Sequence, residues 1–225
     1  MINFAQSPET PYCHEKFPSN ILVIIEYAIF EALSYISKKR VKKGGMEEID
    51  YNIALQERLN TMLQSKDFSY FTYDMFQDIA RDASVCSYDY GHLEKKPDLT
   101  FKLSGGQRSL VKDRTNDGLF VECKIIDGKG KKTISGYCKT GISRYVKGEY
   151  AWAMPNALMI AYNKTGSSIF MKLEKFLEND EALKFKHSKV AKNENSYTST
   201  HARTWQYPDG SEPGNIEIRH LCFSF

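Results

Sequence analysis

The chain contains no C-x-x-C pair, no standard zinc spacing and little excess charge. Its five cysteines, Cys13, Cys86, Cys123, Cys138 and Cys222, are odd in number and irregularly spaced. That argues against a disulfide framework and predicts free thiols in a reducing, cytoplasmic setting. Cys13-His14 and the pair Cys86 and His92 match no zinc-ligand spacing. The formal net charge is only +3, so the total points to no class of partner, although a local basic face is compatible with it. No basic segment followed by an apolar one opens the chain. The apolar stretch Ile21 to Ile36 is interrupted by Glu26 and Glu31, and it is shorter than the roughly 20 residues of a membrane span. The expectation is a buried amphipathic helix and no membrane partner. Gly128-Lys129-Gly130-Lys131-Lys132-Thr133 lacks the G-x-x-x-x-G-K-[ST] phosphate loop and reads as a basic turn. Spacing supports no Ser-His-Asp or Cys-His set, and no internal repeat is present.

What is present is a globular composition: 225 residues, 41% apolar and 26% charged, with 14 Tyr and 13 Phe. Such a chain can bury a proper core without staples. We read 1–225 as a single α/β domain, mainly helical over 1–90 and a mixed sheet with helices over 91–225. Residues 1–19, with Pro8, Pro11 and Pro18, read as an irregular arm. Ile21, Ile24, Ile25, Ala28, Ile29, Leu33 and Ile36 lie at helical spacing, predicting a helix from Ser19 or Asn20 to about Lys39. The basic run Lys38 to Lys43 then ends at Gly44 and Gly45. Further helices are predicted over 46–65 and 71–84.

The periodicity then changes. Leu99, Phe101 and Leu103 alternate with Thr100 and Lys102, as in a half-buried strand, and a turn is expected at Gly105 and Gly106. Residues 118–126, GLFVECKII, are the most strand-like of the chain. A helix is predicted over 137–154, stopping before Pro155, then a buried strand over 157–162 and a helix over 166–179. Residues 183–195 read as charged and exposed, and two strands near 198–206 and 215–224 close the chain.

One constellation carries chemistry. Asp98 opens a strand, and Glu122 and Lys124 sit two apart on another, so the latter two share a face. The 23 intervening residues let the strands pair and bring the three groups to one sheet edge. Two neighbouring carboxylates repel, and a divalent cation removes that penalty. Mg2+ takes few carboxylates and completes its shell with water and phosphate oxygens. Held by Asp98, Glu122 and the carbonyl of Cys123, it would activate water, with Lys124 orienting the attack. The bland alternative is an outward Glu-Lys pair on a surface strand. It is weakened because Glu122 interrupts an apolar run, where a carboxylate needs a partner.

KPDLTF followed by LFVECKII resembles the PD-(D/E)xK signature of the restriction-endonuclease-like nucleases. The resemblance implies an αβββαβ core, Mg2+ dependence with Mn2+ as the alternative, and hydrolysis of phosphodiester bonds in DNA. It brings Asp98 and Glu122 over as metal ligands and Lys124 as the catalytic lysine. It also implies one more acid from a preceding helix, for which Glu26, Glu31, Glu57 and Asp78 are the candidates. A restriction or mobile-element-defence role, as a homodimer or a subunit of a larger assembly, follows from the same likeness. A non-catalytic nucleic-acid-binding or interaction module on the same fold is the competing reading.

Lys139, Arg144 and Lys147, on the predicted helix 137–154, are candidates for holding phosphates; an ordinary solvated face is the alternative. The Lys38–Lys43 run could track a nucleic-acid backbone, but reads better as a solvated helix end, where cations are favoured. His201, Arg203, Arg219 and His220 would form one polar cluster if the last two strands paired.

Overall fold

A computed structural model describes residues 13–39, 45–65, 68–104, 115–190, 196–207 and 209–225. The described elements run α1 (Ser19–Lys39), α2 (Glu48–Gln64), β1 (Ala80–Arg81), β2 (Leu99–Phe101), β3 (Leu119–Ile126), α3 (Ile134–Tyr137), a π-helical segment (Cys138–Ile142), α4 (Ser143–Val146), β4 (Asn156–Asn163), α5 (Phe170–Asn179), a 3-10 turn (Glu181–Leu183), β5 (Phe185–Val190), β6 (Ser196–Ala202) and β7 (Asn215–Ser224). The strands make one sheet in the order β1-β2-β3-β4-β7-β6-β5. β4 runs parallel to both β3 and β7, and the other pairs are antiparallel. The protein is thus α/β with an open mixed sheet.

The central strands are apolar because both of their faces are covered. Met159 and Tyr162, three apart on β4, point to opposite faces. Met159 lies under Gly141 of the π segment, while Tyr162 stacks on Tyr51 of α2, 4.7 Å between ring centroids. Helices therefore flank the sheet on both sides, and the apolar residues of α1, α2 and the strands belong to one continuous core.

α1 forms where the i, i+3, i+4 spacing predicts it, burying Ile21, Leu22, Ile25, Ala28, Ile29, Ala32 and Leu33, with Lys38 and Lys39 in its last turn. At 21 residues it is longer than the Ile21–Ile36 stretch, and by length and composition it could cross a membrane. Here its apolar stripe packs on α2 and β7. The rest of the basic run, Arg40 to Lys43, lies outside the described residues, as do Gly44, Pro8, Pro11 and the turn at Gly105 and Gly106. All five cysteines are free thiols.

Three sequence expectations are corrected. The helix over 71–84 does not form. Phe71, Phe76 and Ile79 are buried as expected, but only one turn closes, with Phe76 N–H donating to the Thr72 carbonyl. Side chains of α2 then take over the backbone: Asn60 accepts from Ile79 N at 2.8 Å, and Gln56 donates to Ile79 O at 3.0 Å. Those bonds replace the helical ones and turn the chain into β1. The helix expected over 137–154 starts earlier, at Ile134 behind the Thr133 cap, and ends at Val146. Gly148 and Ala151 then take positive φ values of 68° and 55°. The carbonyls of Ala151, Trp152 and Met154 turn to the buried Arg203 guanidinium instead of continuing a helix. Finally, the exposed segment 183–195 contains a strand: β5 pairs with β6 at the end of the sheet. Its lysines, Lys186 and Lys189, are exposed, as befits an edge strand that must not recruit another.

The turn into α3 depends on one glycine. A Cβ on Gly136 would lie 1.9 Å from the Lys131 carbonyl oxygen, a backbone atom that cannot swing aside. Gly136→Ala is expected to cost on the order of 3 kcal/mol or more, read as a lowered urea midpoint. A loss below 0.5 kcal/mol would show that this turn is not as tight as described.

Candidate active site

β2 pairs with β3 only from Leu99↔Val121 to Phe101↔Leu119. Beyond Val121 the two strands part, leaving the β2-side edge of β3 without a strand neighbour among the described residues. Backbone groups on such an edge need other partners. Two carboxylates supply them: Asp98 Oδ2 accepts from Cys123 N at 2.6 Å, and Glu48 Oε2 accepts from Ile125 N at 3.0 Å. The gap between the strands thus draws acidic side chains to one place.

Lys124 fills the centre of this gap. Its ammonium donates to Glu48 Oε1 at 2.8 Å and to the Cys123 carbonyl at 2.8 Å, and lies 2.9 Å from Glu122 Oε1. Glu122 is 1% exposed and is held by two further donors. Arg144 Nη1 lies 3.2 Å from Oε1 and 3.4 Å from Oε2, and the Tyr150 hydroxyl donates to Oε2. Asp98 is steadied from α2: Asn52 Nδ2 donates to its Oδ1 at 2.9 Å, and the Tyr162 hydroxyl fixes Asn52 through Oδ1 at 2.9 Å.

The structure therefore brings Asp98, Glu122 and Lys124 together, as their spacing predicts. Arg144 joins them. Lys139 lies elsewhere, its ammonium 6.0 Å from the centre of the Phe176 ring on α5, and Lys147 is exposed at the end of α4. None of the candidate fourth acids reaches the site. Glu26 pairs with Arg219, Asp78 accepts from Tyr73, Glu31 is exposed, and Glu57 lines a cleft between α1 and α2 with Tyr35 and Arg58. The helix acid that does reach this edge is Glu48, in the first turn of α2, which the sequence reading did not single out. A signal for its neighbour was present: Asn52 stands beside Tyr51 and one turn from Leu55 and Leu59 on the buried stripe of α2, where a polar residue asks for a partner.

The electrostatics fit a cation. Burial first, and then the Glu122 charge, push the Asp98 carboxyl up to about 7, against the pull of Lys124 and the Cys123 N–H. Burial works against the Lys124 ammonium, but Glu122, Asp98 and Glu48 outweigh it and hold it charged well above the usual lysine range. Arg144 is likewise held charged by Glu122, whereas burial and the Glu122 charge keep Tyr150 a neutral donor. The Cys123 thiol is kept protonated by burial, so its carbonyl is the group it can offer a hard metal. Among the described residues no group of three or more His, Cys, Asp or Glu side chains forms a metal cage. The candidate donor set at this edge is sparser, the Asp98 and Glu122 carboxylates and the Cys123 carbonyl, all oxygen and each engaged here by a protein donor, with Glu48 committed to Lys124 and the Ile125 N–H. That is the partial shell Mg2+ takes when water and phosphate complete it.

The C-terminal strands do pair, but their four polar residues separate. His201 and His220 share a face through Ser199, both imidazoles 2.7 Å from its hydroxyl. Arg219 points to the other face, to Glu26, and Arg203 binds carbonyls. The sequence holds a second Pro-Asp dipeptide, Pro208-Asp209; Pro208 lies outside the described residues, and Asp209 accepts from Ser211 in a surface turn. Comparison with family models, with curated proteins and with solved structures finds no match for this chain.

Proposed function

We propose that the protein is a metal-dependent nuclease that hydrolyses phosphodiester bonds in DNA, with Mg2+ or Mn2+ as cofactor, acting in the cytoplasm. The observation that carries this reading is the convergence of Asp98, Glu122 and Lys124 at the open edge of β3. The order α2, β1, β2, β3, α3, β4 supports it, because it is the αβββαβ order that the PD-(D/E)xK resemblance implies.

In this reading Asp98, Glu122 and the Cys123 carbonyl would hold the ion. A bound divalent cation supplies Lewis acidity toward a phosphoryl oxygen and lowers the pKa of water beside it. The Lys124 ammonium gives its three donors to Glu48, the Cys123 carbonyl and Glu122 in the metal-free protein; an ion taken up by Glu122 and that carbonyl would free donors for the attacking water and the developing negative charge. Asn52 and Tyr162 keep Asp98 in register, and Tyr150 does the same for Glu122. The rigidity matters because a catalytic group displaced by about 1 Å loses much of its effect.

Plasmid and single-stranded DNA incubated with Mg2+ or Mn2+ test the proposal. Cleavage is expected to vanish in EDTA and to fall on the order of 10²–10³-fold or more in Asp98→Ala, Glu122→Ala and Lys124→Ala, with DNA binding in Ca2+ retained. The absence of metal-dependent cleavage in the wild type, alongside intact DNA binding, would favour the non-catalytic binding module instead.

A further inference from the structure

Three donors hold the Glu122 carboxylate, and they differ in how firmly they are themselves held. Lys124 is 16% exposed in its side chain and tied to three oxygens. Tyr150 is fully buried, with its ring edge-on to Tyr145, 5.1 Å between centroids. Arg144 is different. Its side chain is 37% exposed, its two approaches to Glu122 are the longest of the set at 3.2 and 3.4 Å, and both come from the same Nη1. It lacks the side-on, two-nitrogen geometry of a permanent arginine–carboxylate pair.

The backbone explains why it is there. The π-helical segment Cys138–Ile142 interrupts the helix one residue before α4, and such segments recur at functional sites. Past it, Tyr145 enters the core, its single hydroxyl proton shared between Leu158 O at 3.0 Å and Phe120 O at 3.2 Å. Arg144 is left at the rim, over Glu122. Gly141 lets the segment come this close: a Cβ there would lie 2.5 Å from Met159 Cε and 3.7 Å from Glu122 Cγ.

We infer that Arg144 is an exchangeable counter-ion of the site: it neutralises Glu122 in the metal-free protein, is displaced from it when a divalent cation binds, and is then free to engage a substrate phosphate. The inference rests on the nuclease reading of the same carboxylates. Glu122 already has the Lys124 ammonium at 2.9 Å, and Arg144 adds a second positive charge across both of its oxygens; a divalent ion beside that guanidinium on the same two oxygens would be repelled by it. One of the two must leave, and the solvent-facing arginine is the group with room to do so.

Side-chain NMR of the 225-residue chain with 15N-labelled arginine tests this directly, the Arg144 signal being assigned through Arg144→Lys. In EDTA the guanidinium is expected to show slowed rotation and slowed N–H exchange. On saturation with Mg2+ both are expected to revert to values typical of a free arginine, while the Arg219 signal, paired with Glu26, stays put. Arg144→Gln is expected to bind Mn2+ several-fold more tightly than the wild type by calorimetry. An Arg144 signal unchanged at Mg2+ saturation, or unaltered Mn2+ affinity in Arg144→Gln, would overturn the inference and leave the nuclease reading standing. A wild type that binds neither ion would overturn both.

Discussion

Lys124→Met should destabilise the metal-free protein by about 3–5 kcal/mol, the usual cost of removing one partner from a buried ion pair. The ammonium lies between Glu122 at 2.9 Å and Glu48 at 2.8 Å. Methionine preserves much of the stem but no charge, leaving Arg144 as the cation nearest to Glu122. Urea unfolding in EDTA at pH 8 measures the loss. Saturating Mg2+ should then restore more stability to the variant than it adds to the wild type, because the ion takes over charge compensation that Lys124 supplies in the wild type. A loss below about 1 kcal/mol, or an equal gain from Mg2+ in both proteins, would mean that the three charges do not depend on one another.

The second large effect concerns pH. Tyr137, His220, Ser199 and His201 form a buried chain of hydrogen bonds that ends on the Leu183 carbonyl, 2.7 Å from His201 Nδ1. Because a carbonyl only accepts, His201 carries its proton on Nδ1 and accepts the Ser199 hydroxyl on Nε2. Ser199 in turn accepts from His220 Nε2, and His220 Nδ1 accepts the Tyr137 hydroxyl. Each ring is satisfied as a neutral imidazole. Burial lowers the His201 pKa to about 4 and holds that of His220 well below its ordinary value, with His201 adding to the second shift.

Both folded-state values lie below the unfolded one, so the unfolded chain binds the extra protons. Stability from this pair is complete above about pH 6.5 and is lost as pH falls below it. Between pH 7 and 5 the two groups together give a loss of about 4 kcal/mol, the slope approaching about 1.4 kcal/mol per unit for each below pH 6.5. Asp98 acts in the opposite sense. Its folded-state pKa is raised, so it destabilises the fold above about pH 7 and relieves that cost as it protonates. A comparison of wild type with a His201→Asn/His220→Gln double variant cancels the Asp98 contribution: the wild type should lose about 4 kcal/mol more than the variant between pH 7 and 5. Ring 15N shifts of the wild type provide a check independent of whether the variant folds. Both imidazoles should remain neutral at pH 5, and a titration midpoint near 6.5 for either would refute the chain as described.

Local pattern carried some of these features and not others. Glu122 was visible because a lone acid inside LFVECKII has to be explained, and Lys124 because strand alternation places it on the same face. Asp98 was visible as the residue opening the preceding strand. Glu48, Tyr150 and Tyr162 were not visible, since each meets the site only after α2, the turn beyond α4 and β4 have packed. The helix misread over 71–84 has the right apolar spacing but loses its backbone bonds to Asn60 and Gln56, far earlier in the chain. The splitting of the C-terminal polar residues was legible in part: Arg219 and His220 are adjacent on a strand and must face opposite ways. That Arg203 would gather the carbonyls of Ala151, Trp152 and Met154 was not, because nothing local to residue 203 announces a turn fifty residues away.

Mn2+ binding to the purified chain at pH 8, followed by calorimetry or electron paramagnetic resonance, tests the nuclease reading most directly. One ion should bind per chain in the wild type, and binding should be lost in both Asp98→Ala and Glu122→Ala. Binding that survives removal of both carboxylates, or a wild type that takes up no metal, would contradict it.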